Sequence, residues 1–215
     1  MTLTSIPAKL IRPANADEKN EGDCILSCNK VCGFDEAGRG CLAGPVFAAA
    51  VILDENFPME ILADSKALSP KKREAAEKII LEKSLAHGIG FCTHEEIDEI
   101  NILQASLLAM KRAFSELQKN FPEARVEIAI TDGIFSPKLS SEIRAVALPH
   151  GDSLVYPIMA ASILAKTARD RKMLEFHELY PQYGYEKHKG YGTKAHKEAC
   201  NKFGPSPIQR LTFKY

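Results

Sequence analysis

The chain has 215 residues, 45% of them hydrophobic and 26% charged, and its 28 Lys/Arg balance 28 Asp/Glu. Those proportions describe an ordinary globular domain and exclude a collagen-like, low-complexity or highly charged disordered chain. No apolar run approaches the ~18 residues of a membrane span, and the N-terminus lacks the apolar core of a secretory signal, so no membrane association and a cytoplasmic setting are expected.

Residues 1–23 are polar and aperiodic and read as a flexible tail, which leaves 24–215 as the folded domain. Cys24, Cys28 and Cys32 recur every fourth residue, but the spacing matches neither zinc nor cluster motifs, and reduced thiols acting as small hydrophobes are expected. The stretch from Val31 to Leu53 then reads as strand, turn, strand. An apolar run ends in the adjacent carboxylates Asp35 and Glu36, and Gly38-Arg39-Gly40 and Gly44-Pro45 punctuate a turn before a β-prone run from Val46 to Leu53.

Asp64-Ser65-Lys66 falls in a loop. Ser69 caps a helix with Pro70 at its first position, predicted to run to about His87, and a short strand follows over Gly88 to Cys92. Thr93 with Glu96 forms a capping box for a brief helix through Ile100. Asn101 opens the most regular helix of the chain, with Leu103, Leu107, Met110, Phe114, Leu117 and Phe121 on one apolar stripe. Val126, Ile128 and Ile130 alternate as a strand ending at Thr131-Asp132-Gly133. Another short strand over 145–149 leads to Gly151-Asp152, and Pro157 fits the first turn of a long helix reaching Leu174 or beyond. Residues 180–192 read as a loop rich in Gly, Tyr, His and Lys, and Thr193 caps a last helix stopped by Gly204-Pro205. Strands interleaved with helices predict an α/β layered domain.

Charge is unevenly spread along this order. Residues 1–100 hold 11 Lys/Arg against 17 Asp/Glu, whereas 166–215 hold 11 against 5, so a basic C-terminal segment over about 180–215 is a candidate phosphate-binding face. Asp35, Glu36, Asp132 and Asp152 each lie at a strand end or in the loop after it, where oxygen donors from separate segments suit a hard divalent cation. Glycine-bracketed Arg39 offers close backbone approach and a donor for phosphate or ribose. Neither a dinucleotide fingerprint nor a P-loop is present, since Ala43 stands where the third glycine would fall.

The segment GFDEAGRGCLAGPV closely resembles the signature of the type 2 ribonucleases H, bacterial ribonuclease HII in particular. The resemblance continues in order through Asp64-Ser65-Lys66, Asp132-Gly133, Gly151-Asp152, the run AASILAKTARDR, HKGYGTKAH and GPSPIQRLTF, covering roughly Cys32 to Phe213. No counterpart of the additional N-terminal domain of ribonuclease HIII is recognised, which favours HII.

The resemblance implies a ribonuclease H-like mixed sheet flanked by helices, with a helical C-terminal segment. It implies hydrolysis of RNA in RNA–DNA hybrids and incision 5′ of single ribonucleotides in duplex DNA, with two divalent ions, Mg2+ or Mn2+. Products would carry a 3′-hydroxyl and a 5′-phosphate, and the setting would be DNA replication and repair. Asp35, Glu36, Asp132 and Asp152 match the four catalytic, metal-binding acids; Gly38, Arg39, Gly40, Lys66 and Tyr191 match the substrate-binding residues. A monomer is expected. Two departures stand out: His150 precedes Gly151-Asp152 where the family usually has lysine, and Tyr156-Pro157 replaces small or aliphatic residues. Two other classes compete with this reading: a binding module without turnover, opposed by the four intact acids, and a small-molecule phosphatase, opposed by the basic C-terminal segment. Gln209 to Phe213 has a faint likeness to a sliding-clamp peptide, but with the wrong spacing.

Overall fold

A computed structural model describes residues 6–12, 28–62 and 68–214. Five strands make one mixed sheet: β1 (Val31–Ala37), β2 (Val46–Ile52), β3 (Ala86–Cys92), β4 (Ile128–Asp132) and β5 (Arg144–Leu148). Their order is β3-β2-β1-β4-β5. The first three pair antiparallel, and β4 and β5 extend the sheet in parallel from β1. Every residue of β2 is buried, because helices cover both faces of the sheet at its centre.

Alternation along the strands sorts side chains between two cores. Val31, Ala49, Val51 and Ile130 face α4 (Tyr156–Leu179), with Ile158 and Leu164 among its contributions. Phe34, Ala48, Ala50 and Ile52 face α3 (Ile102–Asn120), where Ala109, Phe114 and Leu117 meet them. The predicted apolar stripe of this second helix is shifted. Met110, Phe114 and Leu117 are buried, but Leu103, Leu107 and Phe121 are only half-buried, and the contact line runs through Ala105, Ala109 and Ala113. Small residues there let the helix backbone approach β3 closely.

The remaining helices are α1 (Pro70–Lys83), α2 (His94–Ile100), α5 (Tyr185–His188) and α6 (Lys194–Phe203). Ser69, Asn101 and Thr193 cap their helices as expected, and both halves of the Thr93/Glu96 capping box form. Three points differ from the sequence reading, the smallest being that β4 starts at Ile128 and leaves out Val126. The first helix stops at Lys83 rather than His87, because Leu85 donates its N–H to the Ile52 carbonyl and starts β3 early. The 180–192 stretch is not a plain loop: a 3-10 turn (Pro181–Tyr183) and α5 lie within it, and Tyr183 and Tyr185 are buried in a small third core with Met173 and Ile208.

The tail also needs correction over residues 6–12. Leu10 is fully buried, Ile11 bridges Val155, and Arg12 N–H donates to the Leu154 carbonyl, so this segment belongs to the packed body. The rest of 1–23 lies outside the described residues, as do Cys24 and the Asp64-Ser65-Lys66 motif. Cys32 is buried in β1 with its thiol pushed up by desolvation, as a small hydrophobe rather than a ligand.

Candidate active site

The parallel pairing of β1 with β4 builds the acidic centre. Phe34 lies opposite Thr131, so one step further Asp35 and Asp132 come side by side at the sheet's carboxyl end. Both belong to the alternating set that faces α4, and Ser162 of that helix hydrogen-bonds the Asp35 carboxylate. Glu36 follows directly after Asp35 and by alternation belongs to the other face. Its carboxylate accepts from Arg39 Nη1 at 3.1 Å, while its own N–H donates to Asp35 Oδ1 at 2.7 Å. Asp152 sits in the 3-10 turn Gly151–Ser153, and its N–H donates to Asp132 Oδ1 at 3.4 Å. His150, before it, adopts the left-handed conformation (φ 61°) that turns the chain back toward β4.

These carboxylates press on one another. Asp35 is 6% exposed, and burial, followed by the neighbouring charge of Glu36, holds its carboxyl well above the usual range. Glu36 is raised by burial too, opposed by the Arg39 guanidinium. Among the described residues no three His, Cys, Asp or Glu side chains converge on one point as a bound ion's ligands do. By strand alternation Glu36 belongs to the opposite face from Asp35 and Asp132, and Arg39 holds its carboxylate. The donors nonetheless fit a hard divalent cation: they are all carboxylate oxygens, and a buried Asp35 beside two further acids calls for positive charge.

Next to the acids lies a cleft of about 380 Å³ lined by Glu36, Gly38, Arg39, Gly40, Ser162 and Tyr191 together with Arg73 and Lys166. Arg73, Lys166 and Tyr191 also line a second cleft of about 830 Å³, where Arg171, Lys187 and Lys189 add positive charge. The two therefore form one groove, bordered by Glu36 at one end and carrying an excess of basic side chains along its length. Tyr191 stands between them, 41% exposed, with Lys166 Nζ 5.3 Å from its ring centre.

The two glycines of the turn do different things. At Gly38 (φ +99°) an added Cβ would fall 2.0 Å from Arg169 Nε, so this glycine admits a buried side chain from beneath. A Cβ added at Gly40 would meet nothing within 4 Å, so the space beside this glycine is open to a ligand. Lys66 lies outside the described residues. Lys187 and Lys189 line the groove, while Lys194 is exposed and lies 3.8 Å from Glu198. Several residues here were given no role from the sequence: Ser162 read only as a small packing residue, Lys166, Arg169 and Arg210 fell within the resembling blocks with no function assigned, and Arg73 gave no cue.

The C-terminal block closes the turn from behind. Arg210 N–H donates to the Leu42 carbonyl, Gly44 N–H to that of Ile208, and Leu42 N–H to that of Gly190. Gln209 and Arg210 are buried in this arrangement, whereas Leu211, in the same stretch with the faint clamp-peptide likeness, is exposed.

A family model described as Ribonuclease HII matches residues 32–215. Ribonuclease HII of Treponema denticola is 52% identical over 193 residues, covering 85% of this chain and 97% of that protein. Among solved structures, ribonuclease H2 of Pyrococcus horikoshii is similar with a TM-score of 0.65 at 25% identity, covering 86% of this chain and 93% of that one. Ribonuclease HII of Archaeoglobus fulgidus, solved in complex with PCNA, gives 0.68 at 25% identity, covering 88% and 96%.

Proposed function

The chain belongs to the ribonuclease HII family, metal-dependent ribonucleases H that hydrolyse the RNA strand of RNA–DNA hybrids, and on that premise we propose that it also incises duplex DNA 5′ of a single ribonucleotide, using two divalent ions held by Asp35, Glu36, Asp132 and Asp152. One observation carries this reading: Glu36 of the carboxylate cluster, the Gly40 backbone and the Tyr191 ring line one groove, and that groove continues between basic side chains. A small-molecule phosphatase has no use for so long a basic path; a nucleic-acid strand does.

Divalent ions, when bound, activate a water and take up charge on the leaving 3′-oxygen. The chain's own residues supply the rest. Asp35 and Asp132, side by side, and Glu36 and Asp152 around them provide the anionic seat. Gly38-Arg39-Gly40 presents backbone groups to the 2′-hydroxyl, the feature that marks a ribonucleotide within DNA. Tyr191 stacks on the deoxyribose beyond the scissile bond, favouring an RNA-to-DNA step, and Lys66 contacts a phosphate. The products carry a 3′-hydroxyl and a 5′-phosphate.

The test is a duplex with one embedded ribonucleotide, incubated with Mg2+ or Mn2+ and mapped at nucleotide resolution beside a uniform hybrid. Cleavage 5′ of the ribonucleotide is expected with either ion. Tyr191→Ala is expected to lose at least about tenfold more on the single ribonucleotide than on the hybrid, the scale of one base–aromatic stack; Tyr191→Phe stays near wild type. Equal losses on both substrates would reduce Tyr191 to a packing residue, and no cut at the lone ribonucleotide would overturn the proposal.

A further inference from the structure

Beneath the turn at 38–45 lie the two largest fully buried side chains of the described residues, Arg169 and Arg210, each 0% exposed. Neither makes an ion pair among the described residues. Arg210 instead donates from Nη2 to the Gly38 carbonyl (2.8 Å), from Nη1 to the Arg39 carbonyl (2.9 Å) and from Nε to the Gly44 carbonyl (2.9 Å). Arg169 donates to the carbonyls of Pro45 (3.0 Å), Ala43 (3.2 Å) and Lys189 (2.8 Å). Five of these six backbone acceptors lie in the turn, and the sixth, on Lys189, lets Arg169 tie the turn to the segment carrying Tyr191. Burying two cations side by side is unfavourable for stability alone. Burial, together with the charge of Arg169, pulls Arg210 down to about 10.

The peptide geometry gives this clamp a direction. Across a trans peptide the carbonyl of one residue and the N–H of the next point opposite ways. With the Gly38 and Arg39 carbonyls drawn inward onto Arg210, the N–H groups of Arg39 and Gly40 are turned outward. Neither N–H has an acceptor within the described protein, and Gly40 borders open space. Two successive outward N–H groups form a small anion- and hydroxyl-binding nest.

We propose that Arg210, braced by Arg169, is a positioning residue that fixes the Gly38–Arg39 and Arg39–Gly40 peptides with their N–H groups facing the groove, as a two-pronged donor for the sugar-phosphate at the cut. The proposal rests on the reading of that turn as the ribonucleotide seat. Lysine at 210 keeps the charge but not the fork that reaches three carbonyls.

The measurement is Arg210→Lys and Arg210→Ala in the full chain, with folding checked by circular dichroism, and KM and kcat taken on the single-ribonucleotide duplex and the uniform hybrid. Arg210→Lys is expected to stay folded with KM on the single ribonucleotide raised about tenfold or more, the scale of one charge-assisted hydrogen bond, and kcat changed far less. Millimolar guanidinium is expected to restore Arg210→Ala; methylammonium is not. A wild-type KM for folded Arg210→Lys on both substrates would overturn the proposal, as would a loss in Arg210→Ala that only tracks its unfolded fraction.

Amide resonances of Arg39 and Gly40, followed while a non-cleavable ribonucleotide duplex is added without metal, separate the two levels. Shifts in wild type that vanish in Arg210→Lys support the positioning role. Shifts in both proteins overturn it, and no shift in wild type overturns the ribonucleotide seat itself.

Discussion

Asp35 is a carboxylate placed against its own stability, and the strain is measurable without any substrate. Burial and the Glu36 charge raise its pKa in the folded chain above the unfolded value. The folded state therefore binds a proton more readily than the unfolded one, so stability falls as pH rises from the unfolded value (about 3.9 for Asp) through the folded pKa. Asp35→Asn removes this penalty. At pH 7–8 in EDTA its Tm is expected above that of wild type, with the difference shrinking as the pH is lowered toward 4, while cleavage drops by orders of magnitude. Mg2+ or Mn2+ is expected to raise the wild-type Tm and to leave Asp35→Asn nearly unmoved. A thermal-shift series over pH and metal reads both, and an Asp35→Asn that is less stable than wild type in EDTA at pH 8 would show that the cluster carries no such repulsion. This residue was legible in the sequence because an acid pair at a strand end is a local pattern. Ser162, which hydrogen-bonds it from α4, was not, since its role depends on how a distant helix crosses the strand.

The elements show the same division between local and distant causes. Caps formed where expected because a cap is a contact across three or four residues, as at Ser69, Thr93, Asn101 and Thr193. The end of α1 was misplaced because Leu85 pairs with Ile52, far back in the chain, and no periodicity announces such a partner. Likewise the stripe of α3 was read as the large side chains, whereas the contact line follows the alanines. The reason lies on the facing strand: an added Cβ at Gly88 would sit 2.2 Å from the Ala113 carbonyl oxygen, and at Gly90 2.4 Å from that of Ala109. Helix backbone rests directly on strand backbone there, and neither side can give way as a flexible side chain would. Gly88→Ala is expected to lose about 1–3 kcal/mol or more in urea unfolding, the range for overpacking, with an unchanged m-value. Because β3 is an edge strand away from the acids, kcat and KM per folded molecule should stay at wild type. A Gly88→Ala chain as stable as wild type would mean that helix and sheet are not in backbone contact.

At the scale of the whole molecule, the net charge of zero conceals a groove lined mainly by basic side chains, with Glu36 at one end. The basic excess of 166–215 was visible in the sequence, yet counting could not say which lysines share a face. The fold selects among them. Lys187 and Lys189 line the groove with Arg73, Lys166 and Arg171, whereas Lys194 stands beside Glu198 outside it. Arg73 comes from a part of the chain with an acidic balance, so it could not have been counted as part of the basic face; Asp170 holds it at 3.5 Å and Lys166 at 2.8 Å, side by side at the groove wall. Duplex binding should therefore weaken steeply with salt, and removing a cation that neutralises one phosphate should lower the slope of log K against log salt by about 0.9 for B-form DNA. Lys187→Gln and Lys189→Gln are each expected to reduce the slope by about one unit and to weaken all duplexes alike, with or without a ribonucleotide. Lys194→Gln is expected to leave the slope where it was. The measurement is a fluorescence-anisotropy titration across salt with metal omitted, so that cleavage does not intervene. A slope that falls equally for all three variants would mean that the duplex spreads over the α6 surface and is not confined to the groove; a slope unmoved by Lys187→Gln and Lys189→Gln would return that wall to solvent.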